Sequence, residues 1–163
     1  MDPAIDELLA NAAANERQFA GPRALIPSMH VAVVTCMDSR IDTFRIFGLE
    51  SGQAHILRNA GGIVTDDVLR SLVLSQRLLQ TREVLLVHHT NCGLHNLDEA
   101  KLRAAIVSEG GTEPPYAFGS FSDLDEAVRH SVKRVREHAL LPHRNHVRGF
   151  IYEVETGHLR EVT

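Results

Sequence analysis

The sequence predicts an α/β fold with a mainly parallel central sheet flanked by helices, an N-terminal helical arm and a C-terminal edge hairpin. Three observations predict it. Short apolar, β-branched runs alternate with stretches of helical periodicity from residue 30 onward. A last strand-like run is followed by Thr156-Gly157 and then by another, the spacing of a hairpin. The segment ahead of Gly21-Pro22 has helical character but stands outside the alternation.

Taken in order, Ile5 to Phe19 reads as an amphipathic helix ended by Gly21-Pro22. Its apolar face needs a cover, and packing on a second subunit is one solution. Val31-Ala-Val-Val-Thr35 is a run of the kind buried on both faces of a parallel sheet, and it stops at Cys36-Met-Asp-Ser-Arg40. A short helical stretch covers Asp42 to Phe47. His55-Ile-Leu-Arg58 makes a second strand, closed by Asn59-Ala-Gly-Gly62, where two glycines permit a tight turn or a close backbone approach. Thr65 ahead of Asp66 and Asp67 is an N-cap with an acidic first turn, opening a helix to about Leu79 with Val68, Leu72 and Leu79 on its apolar face. Val84-Leu-Leu-Val-His88 is a third buried strand leading into His89-Thr-Asn-Cys92-Gly93. Leu97 to Ser108 is helical, Gly110 to Ser120 is a Gly/Pro-rich loop, and Asp123 to Leu140 is a long helix with a basic second half. Val147 to Val154 and Leu159 to Val162 complete the strand and hairpin.

A chain of 163 residues suits one domain, residues 1–163, with residues 1–22 as its arm. The formal charge is -4 and the 17 Lys and Arg are dispersed, so no electrostatic footprint for nucleic acid or an anionic membrane exists. The acidic N-terminus lacks a basic, then apolar, leader pattern, and no apolar run approaches spanning length; the expectation is a cytoplasmic protein. There, two cysteines stay reduced and free for metal or catalysis.

Both cysteines close a predicted central strand, where ligands sit in sheets of this kind. Two thiolates and an imidazole bind zinc well and leave a fourth tetrahedral position for water or substrate. Cys36, His89 and Cys92 supply that set, provided that the first and third strands are neighbours in space. His88 and His89 point to opposite faces, so one metal takes only one of them, and His89 is the choice. Asp38 and Arg40 follow Cys36 directly. Beside zinc, a carboxylate can accept a hydrogen bond from a metal-held water or occupy the open position itself, and the planar fork of Arg40 can hold Asp38 in one orientation.

Together, Cys36-Met-Asp-Ser-Arg40, Arg58-Asn-Ala-Gly and His89-Thr-Asn-Cys92-Gly93 resemble the β-class carbonic anhydrases in order and spacing. The resemblance implies zinc on Cys36, His89 and Cys92, a catalytic dyad of Asp38 and Arg40, and Asp38 as a conditional fourth ligand. It further implies hydration of carbon dioxide to bicarbonate, and a homodimer or dimer of dimers with the N-terminal helix embracing its neighbour. The substrate recess is expected near Ala60, Gly61 and Gly93, with His55 as its polar group and proton carrier. The chain departs from that family at Leu25-Ile-Pro-Ser28-Met, where many plant-type members have Gln-x-Pro. It also has His55 for a pocket aromatic and His88 for the usual Gly. The lack of Trp removes the Trp-containing noncatalytic bicarbonate site of some bacterial members.

Other readings share parts of the pattern. A hydrolase of carbonyl sulfide or carbon disulfide needs the same metal-held nucleophile, and the zinc motifs do not separate it. A noncatalytic zinc module or a receiver domain would use Asp38 differently, but the acidic cluster of a receiver is missing. A cysteine phosphatase needs a longer loop than Cys36 to Arg40, and a redox dithiol would leave His89 idle.

Overall fold

The computed structural model describes residues 3–163. Among these, five strands form one sheet: β1 (Val31–Cys36), β2 (Ala54–Asn59), β3 (Glu83–His89), β4 (Val147–Tyr152) and β5 (Leu159–Val162). Their spatial order is β2-β1-β3-β4-β5, with the first four parallel and β5 antiparallel to β4. The mainly parallel sheet and C-terminal hairpin are those the sequence predicts.

The order matters for function because β1 lies between β2 and β3. The chain leaves β1 for one side and then crosses to the other, so the C-terminal ends of β1 and β3 flank a topological switch point. Cys36 ends β1 and His89 ends β3. This is the adjacency that the ligand set requires.

The described residues also form five helices, α1 (Pro3–Glu16), α2 (Thr43–Phe47), α3 (Asp66–Arg77), α4 (Glu99–Ser108) and α5 (Leu124–Glu137), of which α3 and α5 pack on the sheet. Their starts follow from side-chain caps. Asp42, Thr65, Asp98 and Asp123 each accept a backbone N–H from the first turn of the helix that follows. Several ends fall short of the periodicity. The helix expected to reach Phe19 stops at Glu16, where the backbone tightens to a bond from Gln18 N–H to Asn15 O. The helix expected to begin at Leu97 begins after its cap, Asp98. The one expected to reach Leu140 ends at Glu137 because His138 turns extended, ahead of Pro142. Likewise β4 ends at Tyr152, not Val154, since residues 153–157 form the hairpin turn.

The main core lies between the sheet and helices α3 and α5. Ala32, Val34, Leu72, Leu86, Val135 and Val147 meet there, all buried, and each fully buried Leu or Val contributes roughly 1.5–3 kcal/mol. Close approach of α5 needs Gly149 on β4, because a Cβ there would lie 2.4 Å from Val128 Cγ1. A separate apolar cluster sits at the C-terminal end of the sheet, joining Cys36, Ile41 and Cys92 to Ile46, Leu94, Phe121 and Tyr152. No helix among the described residues is long and apolar enough to cross a membrane.

Candidate metal centre

Cys36, His89 and Cys92 are all buried and their ligand atoms lie within 4.8 Å of one another. Parallel pairing of β1 with β3 brings Cys36 to His89, and a turn through Thr90 and Asn91 brings back Cys92. The His89 ring has one fixed orientation. Its Nδ1 donates to the Thr90 carbonyl at 2.8 Å, leaving Nε2 as the unprotonated nitrogen. That Nε2 is buried and has no hydrogen-bond partner.

An orphaned imidazole nitrogen aimed at two thiols costs free energy unless something else binds it. A metal ion meets that need, and an outer carbonyl on the far ring nitrogen is the usual support for a ligating histidine. The donor set therefore fits a metal ion. Electrostatics agree. The Cys92 thiol and the backbone N–H groups of Asp38 and Gly61 favour the thiolate at Cys36 against the opposing effect of burial.

His88 is elsewhere. It is fully buried on the other face, with Nε2 3.2 Å from Ser131 Oγ and its ring tilted against Phe121. Burial, then the neighbouring His89, push its pKa down to about 4.

Asp38 and Arg40 make a fork-to-fork pair. Arg40 Nε donates to Oδ1 at 2.9 Å and Nη2 to Oδ2 at 2.7 Å, while the Arg40 backbone N–H adds a third bond to Oδ1 at 2.9 Å. These bonds hold the Asp38 carboxyl well below the usual carboxylate range. Asp38 Oδ2 lies 3.9 Å from His89 Nε2, so the carboxylate faces the cluster without entering it. Arg40 Nη2 also donates to the Asn91 carbonyl at 3.0 Å, tying the pair to the His89–Cys92 turn.

Arg58 has a part that spacing alone gives no sign of, although it opens the Arg58-Asn-Ala-Gly motif. Its Nε donates to the Cys36 carbonyl at 2.9 Å and its Nη2 to the Asp38 carbonyl at 2.6 Å, which fixes the loop between them. Ala60 and Gly61 lie in a 3-10 turn, Ala60–Gly62, directly after β2. Gly61 and Gly62 are buried and Gly93 is exposed beside Cys92. A cleft of about 410 Å³ opens beside Ala60, lined by Arg58, Asn59, Ile63, Thr65 and Phe118, but the metal cluster does not line it.

His55 lies away from the cluster of its own chain. It pairs with Ala32 near the start of β2, whereas Asn59 pairs with Cys36. Four residues along a strand are about 13 Å. Its Nδ1 lies 2.8 Å from Ser75 Oγ, in a hydroxyl pair with Thr81, and burial lowers its pKa. Within one chain, His55 therefore belongs to the opposite end of the sheet from the cluster. Strand alternation identifies a face, but it does not identify the end at which a residue sits.

The family model for carbonic anhydrase matches residues 31–109. The chain is 44% identical over 158 residues to beta-carbonic anhydrase 1 of Mycobacterium tuberculosis, covering 97% of each. It is 33% identical over 148 residues to a carbon disulfide hydrolase of Acidithiobacillus thiooxidans, covering 78% of this chain and 74% of that one. Among solved structures, carbonic anhydrase from Streptococcus mutans superposes with a TM-score of 0.91 at 38% identity, covering 100% of this chain and 99% of that one. Sequence similarity along nearly the whole chain, the same fold and a buried Cys-His-Cys cluster at the sheet's switch point lead to one assignment: the chain belongs to the β-carbonic anhydrases.

Proposed function

We propose that this protein is a zinc enzyme that hydrates carbon dioxide reversibly to bicarbonate and a proton, with zinc held by Cys36, His89 and Cys92 and the reaction directed by Asp38 and Arg40. The observation that carries this reading is the Arg40-held carboxylate of Asp38 facing a buried cluster with an orphaned histidine nitrogen. Bound zinc lowers the pKa of a coordinated water from about 15.7 towards about 7 and so supplies a nucleophile near neutrality.

The residues of the chain do the rest. Asp38, kept ionised by Arg40, accepts a hydrogen bond from the attacking water and so turns its free lone pair toward the carbon of the substrate. Arg40, braced on the Asn91 carbonyl, holds Asp38 away from the fourth metal position. Without that grip, Asp38 becomes the fourth ligand. Ala60, Gly61 and Gly93 line the expected recess for carbon dioxide, and Leu94 packs over Gly61 as an apolar wall. The two thiolates balance the metal's charge, which makes it a weaker Lewis acid than a three-histidine site.

The apolar residues of α1 support an assembly of two chains or of two such pairs. Ile5, Leu8 and Leu9 are 57%, 67% and 63% exposed, and Phe19 beyond the helix is 65% exposed. A second copy is the cover this reading assigns them. Residues 1–163 then act as one zinc-binding domain whose arm, residues 1–22, reaches the neighbour. Two free cysteines and a thiolate site suit the reducing conditions of a cytoplasm.

Carbon disulfide or carbonyl sulfide hydrolysis is the second reading, favoured by the likeness to the Acidithiobacillus thiooxidans enzyme. Metal analysis and stopped-flow kinetics with carbon dioxide, carbonyl sulfide and carbon disulfide test both. One zinc per chain and fastest turnover of carbon dioxide are expected, and Cys92→Ser should lose metal and activity together. Full zinc in that variant would sink the ligand assignment, and preference for a sulfur gas would replace the first reading with the second.

A further inference from the structure

The two residues between His89 and Cys92 are held from outside their own turn. Thr90 N–H donates to the Tyr152 carbonyl at 3.0 Å. The Thr90 hydroxyl donates to one oxygen of Glu155 at 2.8 Å and accepts the Val154 N–H at 3.1 Å. The Asn91 side-chain amide donates to the other oxygen of Glu155. Glu155 lies in the hairpin turn between β4 and β5, 65 residues from Thr90 in sequence.

Asn91 sits at φ +52°, a left-handed conformation that asparagine adopts more readily than most non-glycine residues. The bond from its side chain to Glu155 anchors it in that conformation. Both halves of the site depend on these two residues. The Thr90 carbonyl orients the His89 ring, and the Asn91 carbonyl braces the Arg40 guanidinium that holds Asp38. The Glu155 carboxylate also lies near enough to Arg40 for each to favour the other's charge.

We propose that Glu155 is a positioning residue of the metal centre: by gripping Thr90 and Asn91 it fixes the His89–Cys92 turn and, through the Asn91 carbonyl, the Arg40–Asp38 pair. It touches no reacting atom. The proposal rests on the reading that a metal sits on Cys36, His89 and Cys92, and it adds a support from a distant turn that none of the zinc motifs contains.

The test loads the full chain with zinc and mixes it with excess chromogenic chelator, following zinc release alongside kcat and KM for carbon dioxide. Glu155→Ala should release zinc about 10-fold faster or more, the usual scale for losing an outer support of a ligand, and should lower kcat with little change in KM. Glu155→Gln keeps an acceptor for Thr90 and should recover most of the retention. Glu153→Gln removes a charge from the same turn without touching Thr90 or Asn91, and should release zinc at the wild-type rate. Glu155→Asp, one methylene too short to reach both residues, serves as a second measure if the alanine variant folds poorly; several-fold faster release supports the proposal. Release at the wild-type rate from Glu155→Ala or Glu155→Asp, or equal acceleration by Glu153→Gln, overturns it. A wild-type chain that takes up no zinc overturns the metal reading itself and the proposal with it, so the two failures are told apart by the wild-type zinc content.

Discussion

At the residue scale, the proposed function gives the carboxylate of Asp38 two destinations, with Arg40 selecting between them. Three hydrogen bonds from Arg40 hold it beside the cluster. In Arg40→Ala the carboxylate is free to bind the metal, so zinc should stay while activity near neutral pH falls by about 100-fold. Raising the pH favours the nucleophile over the carboxylate at the metal, so the variant should regain part of its activity in alkaline buffer, where the wild type is also more active. Asp38→Asn should keep zinc and lose turnover at every pH, because an amide can present its N–H to the attacking water. Stopped-flow rates and metal content check both, and wild-type turnover in either variant would reduce the dyad to a surface ion pair.

His88 gives a second test at this scale, on stability. Its folded pKa of about 4 lies below the ordinary 6.5, so between these values the unfolded chain binds a proton that the folded chain does not. Stability from this residue is therefore full above pH ~6.5 and is lost as pH falls toward ~4, by about 3 kcal/mol for a buried group. Urea denaturation of the wild type against His88→Asn should show a shallower acid dependence in the variant. Identical pH slopes would contradict the assignment.

At the scale of elements, the 3-10 turn Ala60–Gly62 is where β2 meets the metal loop. Gly62 sits at φ +65°, and a Cβ there would lie 2.7 Å from Cys36 N and 2.9 Å from the Thr35 carbonyl carbon. Backbone on both sides leaves no side chain to move aside. Gly62→Ala should cost about 2–4 kcal/mol and weaken zinc retention together, since the strained contact is on a ligand's own backbone. Thermal unfolding with and without zinc measures it. An alanine variant as stable as the wild type would show that the turn relaxes freely.

At the scale of the whole molecule, α1 is a helix whose large apolar side chains Ile5, Leu8 and Leu9 stand exposed. The sheet face that forms the main core is already taken by α3 and α5. If the proposed assembly forms through the arm, deleting residues 1–22 should yield monomers or aggregates, as read by sedimentation velocity, with loss of activity. A soluble, fully active monomer would contradict the proposed role of the arm.

Much was legible in the sequence by itself: the β-branched runs, the capped helices, the hairpin and a thiolate-imidazole ligand set, because these depend on local periodicity and on the chemistry of residue types. The preference for His89 over His88 also follows from strand alternation, and the buried cluster contains His89. Tertiary structure decided the rest. Whether β1 lies beside β3 depends on crossover connections, not on either strand's composition, and only that pairing brings Cys36 to His89. Register likewise puts His55 at the far end of β2 from the cluster of its own chain. Glu155 stands in no motif because its partners are far along the chain, and Arg58 acts through backbone carbonyls that carry no residue identity. Local physics writes elements and ligand types into a sequence, while the contacts that aim those ligands arise only when strands distant along the chain take their places side by side.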